Sequence, residues 1–527
     1  MTSVRENTGI QIAPLSRLSV TTHQMAGMVA FMAIVAAAFA FGLRYQFNWG
    51  MNDDFAFVDW YRDFLVNHKM SLWTLLSIRD GPHPIGSEAL LSVGIFALTG
   101  FSFTVLVIAN FSLVALGSLL VAVNCAGEWK TKSAYILSFV AIPALAFQPT
   151  QTNHLLWPFE LGWFMITFLL MMNICLLEWL RAHGLLLVAL SCLVATFCSA
   201  HGVFLWLLAA AHCLLLRDIG RRFVWAAFLV AAFLIAVVLV SNANDASVKW
   251  LQAVDISKYF IDLYGSLFGI RDMPLLLALG VTLLGMLAAC GLALVRYPLG
   301  RIERTGLILV LGSLMFVAAF SLGRFKYGLP WVLDRFHAAP LLMPFGLGLA
   351  LLSLRIFDIP AFSKAIAIFP CLFLLASTIT SAPYALQRAR ESLVSRAVAM
   401  HLSCTPGTDE TILIAANSLQ GNVDLMRRSL PTLQPLCAAA MPKQVDALLE
   451  FPQTFADMIV ANAEAVQPLH ALWDAYITHD DLMRAFPIAD PHSALRLLAW
   501  AHDNARSGSK YGNGLLRKYE SFFKLAN

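Results

Sequence analysis

Two adjacent carboxylates, Asp53 and Asp54, stand in the stretch Asn48-Trp49-Gly50-Met51-Asn52-Asp53-Asp54-Phe55-Ala56-Phe57-Val58-Asp59-Trp60, about ten residues past a long apolar run. Four further stretches gather unusual residues. One is Asp80-Gly81-Pro82-His83-Pro84, followed by Glu88; the second is Gln148–Trp163, with His154 and Glu160 beside two tryptophans. The third is Ser199-Ala200-His201-Gly202, and the fourth joins Gly323-Arg324-Phe325-Lys326-Tyr327-Gly328 to Asp334-Arg335-Phe336-His337. A carboxylate can hydrogen-bond a hydroxyl and take its proton. Arg and Lys offer several donors to a phosphate and stabilise charge that develops on one as it leaves. Asp53 and Asp54 are therefore the candidate catalytic groups. His83, Glu88, His154, Glu160, His201, Arg324, Lys326 and Arg335 are the candidate substrate-binding groups.

Each has a plainer reading. Asp53 and Asp54 suit the cap of a helix starting near Phe55, and Glu160 the cap of a helix starting near residue 162. Glu88 suits the solvated face of a surface helix, and the histidines suit ordinary loops or a polar span end. The Arg, Lys and Trp residues suit anchors in a membrane interface. Only a shared location would raise these residues to a site, so the elements that position them decide the matter.

Hydrophobic residues make up 59% of the 527 positions and charged residues 13%, against about 25% charged in soluble domains. A water-surrounded core cannot absorb that much apolar side chain, so the bilayer is the remaining solvent. The formal charge of +4 is scattered through short turns, which excludes the concentrated basic face that nucleic acid requires. Cys125, Cys175, Cys192, Cys198, Cys213, Cys290 and Cys371 fall in or beside apolar runs, where they act as small hydrophobes. No C-x-x-C or His-rich cluster is present, so no metal or other cofactor is assigned, and a divalent ion stays an open question.

Residues 1–24 read as a polar leader and 25–43 as an uncleaved first span. Ten more apolar runs fall near 103–124, 133–147, 162–180, 185–199, 202–216, 223–240, 274–295, 305–322, 338–354 and 364–380. Alternate connections carry Lys130, Lys132, Arg181, Arg217, Arg221, Arg222, Arg296, Arg301, Arg304, Arg355 and Lys364, eleven basic residues in short turns. The opposite set carries six in much longer loops: Lys249, Lys258, Arg271, Arg324, Lys326 and Arg335. The positive-inside rule makes the first set cytoplasmic. Only one span then fits between Asp53 and Lys130, so Ser87–Gly100, which is short and carries Glu88, reads as an interfacial helix on the outer surface.

The expectation is a mainly α polytopic helical bundle of about 11 spans over 25–380, its first outer loop with interfacial helices covering 44–102. The amino terminus is cytoplasmic. Residues 381–527 turn polar and read as a small periplasmic α or α+β domain, with a strand at Thr411–Ala416 and helical spacing over 443–450, 469–485 and 493–505. Cys404 and Cys437 lie there, in an oxidising compartment, where a disulfide and two free thiols both remain open.

A first outer loop with Asn52-Asp53-Asp54, then His83-Pro84 with Ile85–Leu91, Glu160 in the second loop, and late Gly323-Arg324 and Asp334-Arg335-Phe336 together resemble the GT-C superfamily of integral-membrane glycosyltransferases. That superfamily includes protein O-mannosyltransferases and the lipid A aminoarabinose transferase. The likeness covers roughly residues 25–380. Ile85 replaces a second proline and Asp334 a serine of the family pattern. The resemblance implies an inverting enzyme of a bacterial inner membrane. Its donor would be a polyprenyl-phosphate-linked sugar, and its acceptor an envelope glycan or lipid on the outer face. Asp53 is the closer match to the family's base. A transporter or flippase for lipid-linked sugars, which would place ionisable residues deep in its spans, and a polysaccharide polymerase or ligase are the competing readings.

Overall fold

The computed structural model describes residues 21–80, 83–216, 219, 221–240, 253–325, 328–404, 421–450 and 454. These are mainly helical. α1 (Thr22–Tyr45) is followed by short α2 (Asp54–Tyr61) and α3 (Leu72–Leu76), by an antiparallel pair β1 (Arg79–Asp80) and β2 (His83–Pro84), and by α4 (Gly86–Thr99). Then come α5 (Phe103–Ala126), α6 (Lys132–Ala146), α7 (Thr152–Leu155), α8 (Leu161–Leu180), α9 (Leu185–Thr196), α10 (Phe204–Leu215) and α11 (Arg222–Val240). The chain continues through α12 (Ala253–Gly265), α13 (Met273–Leu294), α14 (Arg301–Arg324), α15 (Leu329–Arg335), α16 (Ala339–Asp358), α17 (Lys364–Thr380), α18 (Ala382–Cys404) and α19 (Val423–Glu450).

Among the described residues, eight helical stretches are long and apolar enough to cross a membrane, and three shorter apolar helices accompany them. α16 is the centre and almost wholly buried, while α1 and α13 are mostly exposed and lie at the rim. Leu186, Phe223, Ile235, Val238 and Leu292 are largely exposed on outer helices. Such a belt calls for an apolar surrounding. α9 and α10 have 12 residues each, about 18 Å of helix at 1.5 Å per residue.

The apolar stretch after Pro84 divides at Gly100, whose φ of +65° ends α4 in the left-handed region that glycine adopts without steric cost. Ser102 then caps α5 by accepting from the Val105 N–H. α4 is thus an element of its own, packed on α2, α3, α5 and α8.

One end of the bundle is stitched by charge. Glu178, at the end of α8 and fully buried, accepts from Arg304 at 2.7 and 2.8 Å and from Arg181 at 3.2 Å, and lies 3.0 Å from His212 Nε2. Beside it Arg355 pairs with Glu303 at 2.7 Å, and Asp358 accepts the Lys130 and Thr131 N–H groups at 2.8 Å. These residues belong to the turns in which the sequence concentrates its basic side chains.

At the opposite end Phe47, Trp49, Met51, Phe55, Phe57 and Val58 form one core with Phe96, Trp157, Leu161, Leu393, Val398, Met400 and Met426. α18 follows α17 after a single residue and packs on this end, so the polar composition beyond residue 380 begins with helices that share a core with the first loop. Cys404 and Cys437 form a disulfide with Cα atoms 5.5 Å apart, joining α18 to α19. The spacing over 443–450 falls inside α19; the strand at Thr411–Ala416 and the helices at 469–485 and 493–505 lie outside the described residues. α12 was not anticipated. It lies in a connection between apolar runs and packs on α13 and α14 through residues such as Tyr259, Leu263 and Tyr264.

Candidate functional site

The second loop, Leu156–Trp163, is the hub on which the other loops converge. Asn110, buried in α5, sets its backbone by donating from Nδ2 to the carbonyls of Leu155 at 3.3 Å and Trp157 at 3.0 Å. Trp157 Nε1 donates to the Met51 carbonyl at 3.3 Å, and the Phe159 ring stacks on Phe57 at 5.3 Å. The hub is therefore held by α5 on one side and by the first loop on the other.

The two adjacent acids have different surroundings. Asp54 is fully buried. Its Oδ2 accepts from the Met51 N–H at 2.7 Å and its Oδ1 from the Phe159 N–H at 2.8 Å, which ties the start of α2 to the hub. Burial pushes its carboxyl up to about 8, against the pull of Arg396 and of the two N–H donors. Arg396, itself buried in α18, donates from Nη2 to the Leu156 carbonyl. Asp53 is half-buried at the N-cap position of α2, yet its carboxylate makes no cap bond to the helix. The residue before it, Asn52, holds φ +50°, a left-handed conformation that Asn tolerates better than most residues.

Consecutive hub residues meet the remaining candidates. Glu160 is buried, and its Oε1 lies 3.3 Å from His154 Nδ1; His154 Nε2 donates to the Phe336 carbonyl at 3.0 Å. His154, Glu160 and His337 bring three ligand atoms within 4.8 Å of one another. A Cβ at Gly162 would lie 2.4 Å from Glu88 Oε2 and 3.0 Å from the Cys198 carbonyl, so glycine is what lets the buried Glu88 lie against α8. The Trp163 ring lies 5.5 Å from that of His201, which stacks on His83 at 5.8 Å and 11°. Ser199 Oγ lies 3.2 Å from His201 Nδ1.

Burial pushes His83 down to about 4, and Arg324 at the end of α14 adds to the shift. His83 is thus a neutral imidazole at physiological pH, offering one N–H and one lone pair. Arg324 lies within electrostatic reach of His83, His201 and Tyr259. Hence Asp54, Glu88, His154, Glu160, His201 and His83 meet directly or through the hub, and Arg324 borders them. Lys326 lies outside the described residues, and Arg335 is described in backbone only, as the last residue of α15.

Sequence reasoning missed Arg396, Asn110 and His337 as members. For Arg396 the signal was available: a lone charge in the run Val394-Ser395-Arg396-Ala397-Val398-Ala399-Met400 needs a buried partner when that run packs. Compared with protein-family models, curated proteins and solved structures, the chain matches none of them.

Proposed function

We propose that this chain is a membrane glycosyltransferase of the GT-C type that moves a sugar from a polyprenyl-phosphate carrier to an envelope glycan or lipid. Its eleven spans would be α1, α5, α6, α8, α9, α10, α11, α13, α14, α16 and α17, the short α9 and α10 extended by the single turns at 181–184 and 200–203. The amino terminus would be cytoplasmic. The end carrying the Glu178 cluster would face the cytoplasm, where positive turns belong. The hub and the α18–α19 region would then face the periplasm, with α4 on the outer membrane surface.

The observation that carries this reading is the convergence on Phe159, Glu160, Gly162 and Trp163 of acid and imidazole groups from four other parts of the chain. In the proposed reaction Asp53 takes the proton of an acceptor hydroxyl as its oxygen attacks the anomeric carbon. The new C–O bond forms on one face while the bond to the carrier phosphate breaks on the other, inverting the centre. Arg324, with Lys326 and Arg335, receives the phosphate charge that develops. Asp54 is the support: its two oxygens are committed to backbone N–H groups, which leaves proton transfer to Asp53.

The test is sugar loss from a panel of polyprenyl-phosphate glycosides in vesicles containing the purified full chain, followed by mass spectrometry of carrier and product. Asp53→Asn should lower turnover by about 100-fold or more, the share a general base supplies, with an unchanged melting profile. Full turnover in that variant removes Asp53 as base. Movement of lipid-linked sugar between leaflets without glycosidic cleavage would replace the reading with transport. A carboxy-terminal reporter active only in the cytoplasm would overturn the orientation.

A further inference from the structure

His154, Glu160 and His337 pose a problem of hydrogen-bond bookkeeping that the transfer reaction does not resolve. His154 Nε2 lies 3.0 Å from the Phe336 carbonyl oxygen, which can only accept, so Nε2 carries a hydrogen. In the neutral ring that leaves a lone pair on Nδ1, and Nδ1 lies 3.3 Å from Glu160 Oε1, another acceptor. Two lone pairs aimed at each other repel unless a cation, proton or metal, lies between them. The other carboxylate oxygen, Oε2, is buried and has no hydrogen-bond donor among the described residues. A carboxylate with so little compensation is costly to bury.

A proton alone would make a His–Glu ion pair, whereas a second imidazole close to that pair completes a donor set that a metal ion takes. His337 supplies that second imidazole, its ring 5.6 Å from His154 and its ligand atom within 4.8 Å of the other two. Two histidines and one carboxylate are a ligand set for zinc and similar divalent transition ions. Bonds of 2.0–2.1 Å at a tetrahedral angle separate two ligand atoms by about 3.3 Å, the distance between His154 Nδ1 and Glu160 Oε1. His337 is half-buried, and its ligand atom would close by at most about 1.5 Å to reach the same spacing. The bond from Nε2 to a backbone carbonyl is also what a metal-bound histidine ordinarily makes with its second nitrogen, fixing the ring and raising its basicity.

We infer that His154 Nδ1, Glu160 and His337 form a site for one divalent transition ion, zinc or a close relative, joining the second outer loop to the turn after α15. The site does not depend on the transferase reading. With three protein ligands the ion keeps a further position for a water or a ligand oxygen.

The test is metal content of the detergent-purified full chain, prepared without chelator, loaded with zinc and desalted. About one equivalent is expected by elemental mass spectrometry, reduced at least tenfold in Glu160→Gln and His337→Gln and unchanged in the exposed-site control His68→Ala. Cobalt loading of the unmutated protein gives a readout that needs no variant to fold: it should produce the visible bands of a four-coordinate site, and zinc should abolish them. Less than a tenth of an equivalent with no cobalt bands, or full metal retention by a folded His337→Gln, overturns the site. Metal at one equivalent without any sugar transfer would leave this site standing and remove the transferase reading instead.

Discussion

Replacing Asp54 separates a supporting role from a catalytic one. Asp54→Ala strips the acceptor from the Met51 and Phe159 N–H groups and removes the carboxyl beside buried Arg396. Each stranded N–H costs about 1–3 kcal/mol. The two share one locus and do not fully add, so about 2–4 kcal/mol in total is expected below pH 8, where the carboxyl is neutral and no charged pair is broken. Asp54→Asn keeps one acceptor and turns an amide N–H₂ on the other donor, for about 1–3 kcal/mol. The pH dependence has a definite sign. Because the folded carboxyl is raised to about 8 from an ordinary value of 3.8, its contribution is whole below about 3.8 and fades as pH rises through 8. Across that window the unfolded chain has lost the proton and the folded chain has kept it, so each pH unit removes about 1.4 kcal/mol. Denaturant unfolding of the detergent-solubilised protein, followed by tryptophan fluorescence, should therefore show the margin over Asp54→Asn shrinking from pH 5 to pH 8. A margin that widens with pH would mean an ionised Asp54 held by Arg396, and Asp54→Ala within 1 kcal/mol of the parent would refute the anchoring role altogether.

Three more outcomes follow from the same packing. Gly162→Ala places a methyl 2.4 Å from Glu88 Oε2; sugar turnover should fall at least tenfold while the unfolding midpoint moves little, and equal turnover would remove Glu88 from the site. Glu178→Ala leaves the half-buried Arg304 and Arg181 and the buried His212 around a missing, fully buried acid, so about 3 kcal/mol of stability should go, which unchanged denaturant unfolding would contradict. His83, lowered from 6.5 to about 4, is the opposite case to Asp54: its share is whole above about 6.5 and is lost as pH falls through 4. His83→Gln should flatten that acid limb, and an identical limb in the variant would place the titration elsewhere.

The helices were legible because the bilayer selects long apolar runs, and many boundaries match within a few residues: 103–124 against α5, 162–180 against α8 and 364–380 against α17. The misses have a shared cause. The run read as 305–322 begins at Arg301, and the run read as 338–354 continues to Asp358, because Glu178, Glu303 and Asp358 pair the charges that hydropathy treats as a stop. The polar change after residue 380 coincides with the passage from α17 into α18, which buries Leu393 and Val394 in a core shared with the first loop and Arg396 against the Leu156 carbonyl. Hydropathy sees the solvent of a segment and is blind to its partner.

That blindness is greatest at the acidic pair. In the chain Asp53 and Asp54 are adjacent carboxylates of the same chemistry, and only the resemblance of Asn52-Asp53-Asp54 to a family pattern favours Asp53. The structure separates them by what lies far away in sequence: Phe159 and Arg396 engage Asp54 and draw it inside, while Asp53 stays half-buried at the helix start. The same bonds have a consequence for the whole proposed site. By fastening Met51 and Phe159 to one carboxyl, Asp54 fixes the first loop against the segment that carries Glu160, Gly162 and Trp163. A base on the first loop can act on a sugar held by the other loops only if that distance is constant. In the proposed transfer, proton removal by Asp53 would therefore depend on its buried neighbour, so a folded Asp54→Asn should lose turnover without shifting the pH at which the base titrates, whereas a shared proton between the two acids would shift it.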